Sequence, residues 1–271
     1  MYSTKWLVLL LLVLSLSALP FTDICSAGPS KLFHSKANGY SLAMPEEWKQ
    51  VPDSVLNNIM SASLTEDFRN TFEFETAFAK EWVDEMLIYP CLLIQIIKYP
   101  NNRQVTKDDF SSFIEVITGL DVVDDIKEGV AKYAHADKRG MISDVTVSNV
   151  SVDRQNMICK YTLESETETA GSVKGMAVGH FGRFAVIQLM FYCQKSDWSR
   201  FEKDRKLIFD SFRFDSGMQY DEPLATDPVG SPRPSLSWFQ AFGRGLVYGL
   251  LGVAIAVIVF LWRRLRAYLG R

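Results

Sequence analysis

Histidine and cysteine are scarce in this chain, with three and four copies in 271 residues. His34, His135 and His180 are scattered, and no His-x-x-x-His or Cys-x-x-Cys spacing occurs, so the sequence offers no metal centre and calls for no cofactor. There is also no Gly-x-Ser-x-Gly elbow, no P-loop and no dinucleotide fingerprint, which removes the common hydrolase and nucleotide-binding signatures. Basic charge is lacking too: 29 Lys and Arg stand against 32 Asp and Glu, for a net charge of −3. Residues 1–27 are neutral and 216–271 carry +3, which leaves about −6 on the stretch between them. Nucleic acid is therefore excluded as a partner, because phosphate binding needs a basic stripe.

The chain does have one long uncharged run, Gly245 to Trp262 (GLVYGLLGVAIAVIVFLW). Its roughly eighteen residues would span about 27 Å as a helix, close to the thickness of a bilayer's hydrocarbon core. Arg263, Arg264, Arg266 and Arg271 follow directly, and such clusters stay on the cytoplasmic side. Trp238, Phe239 and Phe242 before the run, with Trp262 and Tyr268 after it, suit the two interfaces. The pattern predicts a transmembrane helix with its interfacial flank over 238–262 and a basic cytoplasmic tail over 263–271. A removable glycolipid-anchor tail would end in the apolar run itself, and this one ends in RRLRAYLGR.

Lys5 precedes an apolar stretch, Trp6 to Leu14, and Cys25-Ser26-Ala27 supplies the small residues that a signal peptidase reads. Residues 1–27 are expected to be a signal peptide cleaved after Ala27; the rival reading is an uncleaved N-terminal anchor. A lipoprotein site at Cys25 is disfavoured by bulky Ile24. Together these elements predict a single-pass membrane protein with its body outside the cytoplasm and its C-terminus inside. Cys91, Cys159 and Cys193 would remain, each in an apolar strand-like run, and buried thiols are favoured over a disulfide. Asn149-Val150-Ser151 has the form of a glycosylation sequon.

Within the body, Tyr40, Leu42 and Met44 alternate as a short strand stopped by Pro45, with Trp48 returning to the core. A short helix is expected near 54–60 and a strand near 71–78. PCLLIQIIKY, residues 90–99, is apolar on both alternating faces and reads as a central strand. Thr106-Lys107-Asp108-Asp109 is a capping-box-like start, and the helix it opens aligns Phe110, Phe113, Ile114 and Ile117. A second helical stretch runs from Val122 to about His135. Strands follow over 145–152, over 157–164 with Cys159, Tyr161 and Leu163 inward and Lys160, Thr162 and Glu164 outward, and as a hairpin over 173–180 and 184–193. Ser196 is expected to cap a last helix carrying Trp198, Phe201, Arg205, Ile208, Phe209 and Phe212. Pro223, Pro228, Pro232 and Pro234 mark a linker over 216–237, which sets the body at 28–215.

Two pieces, GYSLAMPEEW near the start and GRFAVIQLMFYCQKSDWSRFEKDRKLIFDSFRF at the end, together resemble the PsbP-like fold. Its members include photosystem extrinsic proteins, a nuclear-transport factor that binds the GTPase Ran, and bacterial envelope lipoproteins of the DcrB group. The resemblance covers about residues 39–214 and implies an α+β domain, an α/β/α sandwich around an antiparallel sheet. It implies no chemistry, and no family metal site or partner motif is matched here.

The acidic pairs Glu46-Glu47, Asp108-Asp109 and Asp124-Asp125 lie near turns or helix starts, where solvent and the helix dipole account for them. Gly175, Gly179 and Gly182 read as strand glycines, and His180 as a surface residue at a strand end. The function expected is a membrane-anchored extracytoplasmic binding or assembly module without catalytic activity, with another envelope or membrane protein as partner. The alternative is a membrane-tethered hydrolase using an acidic site. Gly245, Gly249 and Gly252, continued by Ala256, place small residues along one side of the span, the pattern that lets two helices form a homodimer.

Overall fold

A computed structural model describes residues 30–63, 65–66, 73–83, 86–99, 104–119, 124, 142–167 and 171–221. The stretches expected to form a signal peptide, a transmembrane span with Gly245, Gly249 and Gly252, and a cytoplasmic tail, with nearly all of the second expected helical stretch, lie outside the described residues. Among the described residues, no helix is long and apolar enough to cross a membrane.

The molecule is organised by two strands, β7 (Cys91–Lys98) and β11 (Ala185–Gln194), that are apolar on both faces. A strand with no polar face has to be covered on both sides, so both lie inside a seven-stranded sheet rather than at its rim. The other members are β3 (Lys49–Gln50), β4 (Glu73–Ala79), β8 (Ile142–Asp153), β9 (Ile158–Thr167) and β10 (Gly171–Phe181), in the order β3-β4-β7-β11-β10-β9-β8. Every neighbouring pair is antiparallel. From β8 to β11 the chain is a meander, and β11 then pairs back to β7 with Leu189 opposite Ile94.

One face carries Leu93, Ile97, Val186 and Met190 and packs against α1 (Asp53–Ser63) and α2 (Lys107–Thr118). The aligned residues of α2, Phe110, Phe113, Ile114 and Ile117, are all buried there. The opposite face carries Leu92, Ile94, Ile187, Leu189 and Phe191. It is covered by α3 (Glu202–Ser211) and by a small second sheet in the order β1-β2-β12, formed by Ser30–Ser35, Tyr40–Pro45 and Arg213–Phe214. The central sheet is antiparallel, as expected, with helices against both faces. A separate hairpin joins β5 (Trp82–Val83) to β6 (Met86–Leu87).

α2 starts as its sequence predicts. The Thr106 N–H donates to Asp109 Oδ2 at 2.8 Å, and the Asp109 N–H donates to Thr106 Oγ1 at 3.2 Å. This reciprocal box satisfies helix-start donors that would otherwise be unpaired. Thr106→Ala is expected to cost about 0.5–2 kcal/mol, measured as a lower urea midpoint at unchanged m-value.

The last helix departs from expectation. Ser196 sits in a single 3-10 turn, Lys195–Asp197, and α3 begins only at Glu202, with Phe201 at its N-cap and no side-chain cap bond. The intervening turns bring Trp198 and Phe201 against Phe191, so tertiary packing outweighs the local capping signal. Thr162, expected outward, is buried because the second face is covered as far as β9.

Candidate functional site

Carboxylates, thiols and histidines are the side chains from which a reaction would be built. Of the acidic pairs, Asp109 is buried in the α2 cap, and Glu47 is paired with Lys80 at 2.6 Å, which holds its carboxyl below the usual range. Asp204 accepts from Trp48 Nε1 at 2.9 Å and so ties α3 to the turn after β2. Glu164, whose pKa is lowered by hydrogen bonds from Lys174 and Lys195, bridges β9, β10 and the start of the 3-10 turn.

Sequence reasoning missed Glu75. It occupies a bulge in β4, where the register shifts between Phe74 and Thr76, and its two oxygens accept from Ser35 Oγ and Tyr40 OH. A bulge re-aims one side chain out of the pleat, and here it links the large sheet to the small one. Burial, followed by the Glu75 carboxylate, pushes the Tyr40 phenol well above its ordinary range. No local pattern marks this contact, since its partners come from β1 and β2.

The three thiols are free and buried. Burial raises the pKa of Cys159 and Cys193 to about 12, and that of Cys91 further. A thiol held so high is not a nucleophile at neutral pH. His180 corrects the expectation of a surface residue: it is buried, and its ring stacks on Phe212 at 3.9 Å between centroids. Burial, with the charge of Arg213 adding to it, lowers its pKa to about 3, so it stays neutral. His34 pairs with Asp215 at 2.9 Å in the open.

A cationic and aromatic cluster covers the second face. Arg205 is 7 % exposed, donates to the Trp198 carbonyl, and lays its guanidinium 3.6 Å from the Trp198 ring and 5.7 Å from that of Phe191. Lys174 approaches the same indole at 5.0 Å. Trp198, Phe201, Phe209 and Phe212 belong to or pack on this core, as their sequence spacing implied.

The chain leaves the domain through residues 212–221, and their contacts explain two glycines. Gly39 has φ +63 in the turn between β1 and β2, and a Cβ there would lie 2.5 Å from Met218 Cγ. At Gly182 a Cβ would lie 2.8 Å from the Met218 carbonyl oxygen and from the Phe214 ring. Arg183 N–H donates to that carbonyl at 2.8 Å, and Gln219 bridges to Gly182. The segment assigned to the linker thus begins with residues that pack on the body. Gly182→Ala is expected to displace this strap and destabilise the protein by about 1–3 kcal/mol, with faster tryptic cleavage after Arg213 as the readout. Gly175, read from the sequence as a strand glycine, lies in β10 against the ring of Tyr192 on the neighbouring strand.

The first face contains polar groups that its apolar strands do not lead one to expect. Gln95 and Gln188 stand directly opposite each other on β7 and β11, both fully buried. Gln188 Nε2 donates to Tyr161 OH at 2.9 Å. The signal was present in the sequence, as one glutamine in each doubly apolar run.

Among the described residues, no group of three or more His, Cys, Asp or Glu is placed to hold a metal ion. The fold is a sheet-centred α+β domain in which Glu75, Asp109, Glu164 and Asp204 make contacts that tie its elements together. No family model matches the chain, and no curated protein matches it. Among solved structures, it is similar to cyanobacterial PsbP (CyanoP) from Synechocystis sp. PCC 6803, at 14 % identity and a TM-score of 0.41, over 69 % of this chain and 93 % of that one. A crystal structure from Bacteroides thetaiotaomicron VPI-5482 is similar at 11 % identity and a TM-score of 0.34, over 72 % of this chain and 51 % of that one.

Proposed function

We propose that this chain is a membrane-anchored, extracytoplasmic binding or assembly module whose partner is another envelope or membrane protein. The observation that carries this reading is the use of its reactive side chains: Asp109 closes a helix cap, Glu75 joins two sheets, the three thiols are buried and protonated, and His180 is stacked and neutral. The apolar leader, the proline-rich 216–237 stretch, the uncharged 245–262 run and the arginines behind it support a tether with the body outside. Gly245, Gly249 and Gly252 would let two spans pack together, so that the partner includes a second copy.

Mild crosslinking of native membranes followed by pull-down of the full chain tests this. A defined partner protein recovered in constant ratio is the expected result. Hydrolytic activity that copurifies with the chain and is lost in Glu75→Gln would instead establish the tethered-hydrolase alternative. Protease added to intact cells or spheroplasts is expected to remove residues 40–214 and spare the tail. Protection of the body would overturn the topology.

A further inference from the structure

Gln95 lies at the centre of the larger sheet, on the face that packs against α1 and α2, since its neighbours Leu93 and Ile97 belong to that cluster. It is 0 % exposed, and neither its Oε1 nor its Nε2 bonds to protein. Its register partner is Gln188. Directly opposite residues in an antiparallel pair hold their Cβ atoms about 4.5–5.5 Å apart, close enough for the two amides to bond directly. They do not; Gln188 turns its Nε2 to Tyr161 instead. On the other side of Gln188 stands Gly179, where a Cβ would meet nothing closer than 3.7 Å. A methyl-sized space bounded at contact distance by Phe181 and Val186 therefore adjoins Gln188 at this level.

Protein interiors pair nearly every buried amide with protein or with ordered water. A buried water needs two to four polar partners and little space. Gln95 supplies an acceptor and a donor, and the Tyr161 phenol, already accepting from Gln188, keeps its own hydrogen to donate. The enclosing side chains, Leu93, Ile97, Val186 and Met190, are apolar and buried, which leaves no open path for a larger molecule.

We propose that Gln95 and Tyr161 bind ordered water at an internal hydration site between the central strands and the α1/α2 layer. The water accepts from Gln95 Nε2 or donates to Gln95 Oε1, and it accepts from the Tyr161 hydroxyl.

Magnetic relaxation dispersion of water oxygen-17, recorded on the full chain in micelles, reads long-lived internal water directly. Gln95→Met, of nearly equal volume, and Tyr161→Phe each remove polar partners while keeping the packing. The expected result is a dispersion amplitude that falls in both variants relative to the parent. If Gln95→Met does not fold, Tyr161→Phe carries the test alone. An amplitude unchanged in a folded variant overturns the proposal, as does a crystal structure in which Gln95 bonds directly to Gln188 with no water density beside them.

Discussion

Truncating Phe191 to alanine is expected to destabilise the domain by about 3–5 kcal/mol, among the larger effects available to a single core substitution. Phe191 is fully buried in the middle of β11, and its ring meets Trp48 at 5.7 Å and both Trp198 and Phe201 at 6.3 Å. The guanidinium of Arg205 lies 5.7 Å from the same ring. These partners belong to the turn after β2, to the turns before α3 and to α3 itself, so they cannot all close on one void. In a domain of this size the loss corresponds to a fall in Tm on the order of 10 °C. Leu32→Ala, at a position 76 % exposed in β1, serves as the contrast and is expected to stay within about 0.5 kcal/mol of the parent. Urea titration of both variants decides the matter.

Acidification is expected to weaken the fold well before the carboxylates titrate. His180 is neutral in the folded protein down to a pKa of about 3, against an ordinary value of 6.5. Between these values the unfolded chain binds a proton that the folded chain refuses, so stability is fully present above the unfolded pKa and falls as the pH drops. The slope approaches about 1.4 kcal/mol per pH unit, or about 2 kcal/mol between pH 7 and pH 5. The groups in question are the Phe212 ring stacked on the imidazole and the nearby charge of Arg213, neither of which accepts its proton. The lowered carboxyls of Glu47, Asp153 and Glu164 add their losses only at more acid pH. Unfolding curves at pH 7, 6 and 5 should therefore slope for the parent and flatten for His180→Phe. Parallel curves for the two would sink this account.

What the sequence disclosed depended on how locally each signal was written. The α2 start was legible because Thr106 and Asp109 satisfy each other within one turn. Strands β7 and β11 were legible because burial on both faces removes the polar alternation from the run itself. β1, by contrast, has a mostly exposed SKLFHS sequence with no period, and it is a strand because β2 pairs with it from Ser35↔Tyr40 to Ser30↔Pro45. His180 was misread for a related reason. Its cover, Phe212, arrives from the far end of the domain, and nothing near His180 in sequence announces it. Glu75 was illegible likewise, since both of its donors lie in another sheet.

The strap over residues 212–221 also determines how the domain meets a mechanical load. Force applied to the chain beyond Asp221 reaches a row of separate small attachments before it reaches the central sheet. They include the Gln219 bridge to Gly182, the Met218 carbonyl on Arg183, the Asp215 side chain on His34 and its N–H on the Gly39 carbonyl, both at 2.9 Å, and the two-residue pairing of Arg213 and Phe214 with β2. Attachments in series yield one at a time, as a zip does, at low force. Peeling them would lengthen the chain beyond the small sheet and uncover the Phe212 ring and His180 while β4, β7 and β11 keep their full register, so the first response to tension is extension at the exit rather than rupture of the body.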